Sequence, residues 1–70
     1  MSYYDDLRTM KKEINELINE SKGKKIKLCE LSVHYGMKFG FGRKAIENTL
    51  KDFKDQGRIV LLKDEFEVLA

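Results

Sequence analysis

Proline and tryptophan are both absent from the 70 residues, and cysteine occurs once. With no proline to force a stop, element ends must be read from glycine and capping residues. The lone thiol, Cys29, forms no internal disulfide, which fits a reducing compartment and predicts a cytoplasmic protein. Cys29 and His34 are too few for a zinc site, and neither belongs to a nucleophile–base set with a third member. No metal, cofactor or small-molecule substrate is therefore expected, and the chain is not expected to be an enzyme. There is no apolar run of about 18 residues, so no membrane span is expected. The opening Met1-Ser2-Tyr3-Tyr4-Asp5-Asp6 is acidic and lacks the apolar stretch of a signal peptide.

What remains is the composition of one small, charge-rich domain, 41% hydrophobic and 37% charged, with a formal net charge of +2. A chain this short buries about 60% of its unfolded surface, and its core rarely supplies more than about 3–5 kcal/mol. A binding module is a better expectation than an enzyme with a deep pocket.

Glycines divide the chain into segments at Gly23, at Gly36/Gly40/Gly42 and at Gly57. Leu7, Met10, Ile14, Leu17 and Ile18 form one helical stripe, predicting a helix over residues 3–21. Ser2 and Asp5 read as a capping box, and Gly23 as the residue just past the helix end. Ile26 and Leu28 alternate with lysines, predicting a strand over 25–28. A short helix over 29–35, stopped by Gly36, and a turn over 36–42 come next. Ile46, Thr49, Leu50 and Phe53 make a second clear stripe, predicting a helix over 43–56 that Gly57 terminates. Two β-rich runs around Lys63-Asp64-Glu65 read as a hairpin over 58–69.

This order, and above all the stretch from Ile46 through Leu50, Phe53 and Gly57 to Ile59, resembles a winged helix-turn-helix domain over nearly the whole chain. Ile46, Leu50 and Phe53 dock a helix, Gly57 supplies a tight left-handed exit, and Ile59 re-enters the core from a strand. The resemblance implies an α+β, mainly α fold: three helices, a short strand and a C-terminal two-stranded hairpin wing. It further implies binding of double-stranded DNA, with the 43–56 helix in the major groove, and transcriptional regulation. The composition also resembles that of small regulators from thermophilic archaea and their viruses.

The positive charge is not spread evenly. Residues 1–23 hold four Lys/Arg against five Asp/Glu, residues 24–58 nine against four, and residues 59–70 one against three. The central excess predicts a surface for a polyanion. Projected at about 100° per residue, Ile46, Leu50 and Phe53 share one side of the 43–56 helix. Lys44, Asn48, Lys51 and Asp55 lie opposite, Glu47 borders them, and Arg43 opens the first turn. Asn48 suits adenine, and Arg43 or Lys44 suits guanine or phosphate. The expected DNA-binding set is Lys24, Lys25, Lys27, Lys38, Arg43, Lys44, Glu47, Asn48 and Lys51. The hairpin turn carries Lys63, Asp64 and Glu65, followed by Glu67, and this acidic tip is expected to stay off DNA.

Two motif matches are set aside. Gly40-x-Gly42-x-x-Ala45 has the dinucleotide spacing but no room after it for a βαβ crossover. Lys38-Phe39-Gly40-Phe41 lacks the residues and the four-stranded sheet of an RNA-recognition signature, so Phe39 or Phe41 is expected to plug the core beneath the turn. Leu7, Met10, Ile14 and Leu17 also fit a heptad seam. They either pack on the core or, with Tyr3 and Tyr4, form a homodimer contact through Tyr3, Tyr4, Leu7, Met10 and Ile14. The alternative function is a winged-helix protein–protein interaction or dimerisation module that binds no DNA.

Overall fold

A computed structural model describes residues 3–70. The Ser2 half of the expected capping box lies outside the described residues. The fold is mainly helical, with three helices and one three-stranded antiparallel sheet.

Helix α1 spans Tyr3–Glu20, with Asp5 and Asp6 at the positive end of its dipole. Its stripe turns Met10, Ile14 and Ile18 inward, and Leu7 and Leu17 pack beside them. Met10 and Ile14 are both 0% exposed, which removes them from the expected dimer contact. The heptad spacing is spent on this chain's own core: a small domain cannot leave its best apolar stripe to a second copy. Leu7 is half-buried in the same packing, while Tyr3 and Tyr4 stay exposed.

After α1 the chain turns through Gly23, whose φ is 79° and whose N–H donates to the Val68 carbonyl at 2.8 Å. That bond delivers strand β1, Lys25–Lys27, to the sheet. Strand β2, Ile59–Leu61, and strand β3, Glu65–Val68, form the expected hairpin. The sheet order is β1-β3-β2, so the hairpin is joined by a third strand rather than standing as a two-stranded unit. Lys25 sits opposite Glu67 and Lys27 opposite Glu65, and the opposite charges favour that register. The alternation turns Ile59, Phe66 and Val68 inward onto the helices.

Leu28 begins helix α2, Leu28–Phe39, instead of ending the strand. The helix also runs past the expected stop at Gly36. Glycine inside a helix costs about 1 kcal/mol, but tertiary packing offsets it here. Tyr35 is buried and stacks on Phe39 at 6.0 Å, one turn along. A Cβ on Gly36 would lie 3.5 Å from the Phe41 carbonyl oxygen, so the bare backbone lets the following loop fold close. The true end is Gly40, with φ 76° and its N–H donating to the Gly36 carbonyl at 3.0 Å. Phe41 then drops into the core as the expected plug.

Helix α3 spans Arg43–Asp55. Ile46, Thr49, Leu50 and Phe53 are buried, and Gly57 leaves the helix at φ 74°. The core joins the α1 stripe, Leu28, Leu31 and Tyr35 of α2, the inner face of α3 and the inner face of the sheet.

Candidate nucleic-acid interface

Burying one side of α3 leaves Lys44, Glu47, Asn48 and Lys51 on its exposed side. This ridge is flanked by two hollows. On the hairpin side, a hollow of about 260 Å³ lies between these four side chains and Leu28, Leu61 and Leu62. On the α1 side, a hollow of about 290 Å³ is lined by Asn48, Ala45, Thr49 and Asp52 of α3 and by Tyr3 and Arg8 of α1, among others. Asn48 borders both and so stands on the crest. Among the described residues Lys44 and Lys51 enter no ion pair or side-chain hydrogen bond, so their charges are unspent.

Arg43 is differently placed. Its guanidinium donates to the Lys63 carbonyl at 3.0 Å and to Asp64 Oδ1 at 3.3 Å, and lies 3.8 Å from Glu47 Oε2. The Leu28 N–H donates to the Asp64 carbonyl at 2.9 Å. Arg43 therefore fastens the hairpin turn against the starts of α2 and α3, and the carboxylates of Asp64 and Glu47 offset its charge. Lys27 lies beside this clamp, lining one hollow with Arg43, Lys63 and Asp64.

The remaining lysines of the expected set are not gathered onto the α3 ridge. Lys24 and Lys25 belong to the β1 segment, with Lys25 opposite Glu67 across the sheet. Lys38 points to α1, where its Nζ donates to Glu13 Oε2 at 2.7 Å and lies 5.2 Å from the Phe39 ring centroid. Tyr35 completes the group by donating its hydroxyl to Glu13 Oε1 at 3.0 Å. The Lys38 hydrogen bond, reinforced by Tyr35, holds the Glu13 carboxyl below its ordinary value against the opposing effect of burial. Burial, with the Glu13 contact second, pushes the Tyr35 hydroxyl well up. Lys38 thus ties α2 to α1, and nothing in its surroundings directs it to the α3 face.

A basic strip on α1 was missed by charge counting. Arg8, Lys11, Lys12, Asn15 and Asn19 follow one another at helical spacing beside the apolar stripe. The positive charge of Arg8, Lys11 and Lys12 is hidden in the sequence totals by the acidic residues elsewhere on the same helix. Lys11 reaches α3, with Nζ 3.1 Å from Asp52 Oδ2.

Among the described residues no group of three His, Cys, Asp or Glu side chains could hold a metal ion, and Cys29 is exposed. No helix in them is long and apolar enough to cross a membrane. No protein family, no curated protein and no solved structure matches this chain.

Proposed function

We propose that this chain is a winged helix-turn-helix protein that binds double-stranded DNA through the exposed ridge of α3 and acts in transcriptional regulation. The observation that carries the reading is the ridge itself: Lys44 and Lys51 flank Asn48 on one helix face, and among the described residues neither lysine enters an ion pair or side-chain hydrogen bond. A helix of about 10–12 Å diameter fits a major groove about 12 Å wide. In that position Asn48 reads a base edge and the two lysines meet phosphates or guanine. The order α1-β1-α2-α3 followed by a hairpin, with β1 beside β3 in the sheet, supports this reading. Arg43 serves as a brace for the hairpin rather than as a base reader, and Lys38 takes no part.

A titration of labelled duplex DNA by fluorescence anisotropy, repeated across salt concentrations, tests the reading. Phosphate contacts by Lys44 and Lys51 release counterions and make log K fall against log[salt] with a slope of about −2 or steeper. Absence of binding at low salt contradicts the reading. It would favour the protein-interaction alternative, for which Tyr3, Tyr4, Val33 and Met37 are among the exposed apolar side chains.

A further inference from the structure

We propose that the cleft between α1 and the C-terminal half of α3 is a phosphate-gripping surface, where Arg58 and Lys12 hold the DNA strand running beside α3. This deepens the DNA-binding reading and rests on it. The cleft takes over the backbone contact that the acidic hairpin cannot make.

Arg58 is the centre of the case. Its guanidinium donates from Nη1 to the side-chain oxygen of Asn15 and from Nη2 to that of Asn19 at 2.7 Å. It also lies 5.2 Å from the centroid of the Phe53 ring. Two amide oxygens and an aromatic face orient a cation without neutralising it. Among the described residues no carboxylate lies within ion-pair distance of Arg58. A guanidinium carries five N–H donors in a fixed fork, so donors remain for a phosphate oxygen. Because the protein already holds the fork, little side-chain freedom is lost on binding.

The surroundings extend the grip. Arg58, Gln56 and Phe53 share a hollow of about 310 Å³ with Arg8, Lys11 and Lys12 of α1. Arg8 and Lys11 also line the hollow beside Asn48, so the cleft is continuous with the α3 ridge. Four cations, Arg8, Lys11, Lys12 and Arg58, meet one carboxylate, Asp52, along the two hollows. Arg8 and Lys11 are each bridged to an aspartate, whereas Lys12 is exposed and unbridged. Arg8 to Asn15 covers about 10 Å of helix, enough to run past about three phosphates of one strand. The hairpin turn on the opposite flank offers Asp64 and Glu65 against Lys63.

Salt-dependent duplex titration of Lys12→Gln/Arg58→Gln tests the assignment. With these two contacts added to the two made by Lys44 and Lys51, the intact protein has a slope of about −4. The double variant loses about two units of slope while keeping the same order of preference among duplex sequences. A folded double variant with the parent slope overturns the assignment. If removing Arg58 melts the protein, Lys12→Gln alone decides, because among the described residues that exposed side chain enters no ion pair or hydrogen bond: a loss of about one unit supports the cleft, and an unchanged slope overturns it. Failure of the intact protein to bind any duplex removes both readings. Normal binding with an unchanged slope in these variants removes only the cleft.

Discussion

Replacing both free lysines of the ridge, Lys44→Glu/Lys51→Glu, abolishes duplex binding at moderate salt and leaves the fold intact. Two attractive contacts become two repulsive ones. At about 1–3 kcal/mol per contact and 1.4 kcal/mol per decade of affinity, losing the two attractive contacts alone costs at least about thirtyfold, and the repulsion adds to it. Both side chains are exposed and, among the described residues, unpartnered, so stability changes by no more than surface substitutions usually allow, about 0.5 kcal/mol. Anisotropy titration and a circular dichroism melt on the same sample check both halves. Retained affinity in the double variant would show that the α3 ridge is not the DNA surface.

The second large effect concerns stability. Phe66 is 0% exposed on the middle strand of the sheet, with Ile26 opposite on one side and Leu61 on the other. Truncation to alanine removes a buried aromatic ring and costs about 3–5 kcal/mol. That matches the roughly 3–5 kcal/mol a core of this size supplies. Phe66→Ala is therefore largely unfolded at 25 °C, seen as loss of the cooperative melt. A variant melting near the parent midpoint would mean that the sheet is not integral to the core.

The helices α1 and α3 were legible because their apolar residues repeat at helical spacing and glycines mark their ends. The end of α2 was not. Gly36 looks like a stop when only neighbours in sequence are considered. It is tolerated because Tyr35 and Phe39 stack and Phe41 folds back beneath them. The third strand of the sheet depends on pairing between Lys25–Lys27 and residues 65–67, far along the chain. Alternation predicts each strand, but register across that separation is set only in the folded state. The facing Lys25/Glu67 and Lys27/Glu65 pairs are its one sequence trace.

The same limit governed the candidate site. Residue type nominated Lys38 and Arg43 as DNA contacts, and folding supplied each with a partner. Lys38 meets Glu13, 25 positions away, and Arg43 meets Asp64, 21 positions away. Lys44 and Lys51 escape such pairing, which is why the reading contracts onto them. Met10 and Ile14 show the ambiguity from the other side, since a seam at heptad spacing serves a core as well as a dimer. Arg58 was passed over because its orienting partners, Asn15 and Asn19, lie on a different helix and carry no charge.

Backbone amide shift mapping on addition of a duplex tests the central claim most directly. The account predicts that the largest changes fall on Lys44, Glu47, Asn48 and Lys51, with Arg8, Lys12 and Arg58 following and the 63–67 turn nearly unmoved. Changes concentrated on the hairpin or on the Lys38 end of α2, with α3 silent, would contradict it.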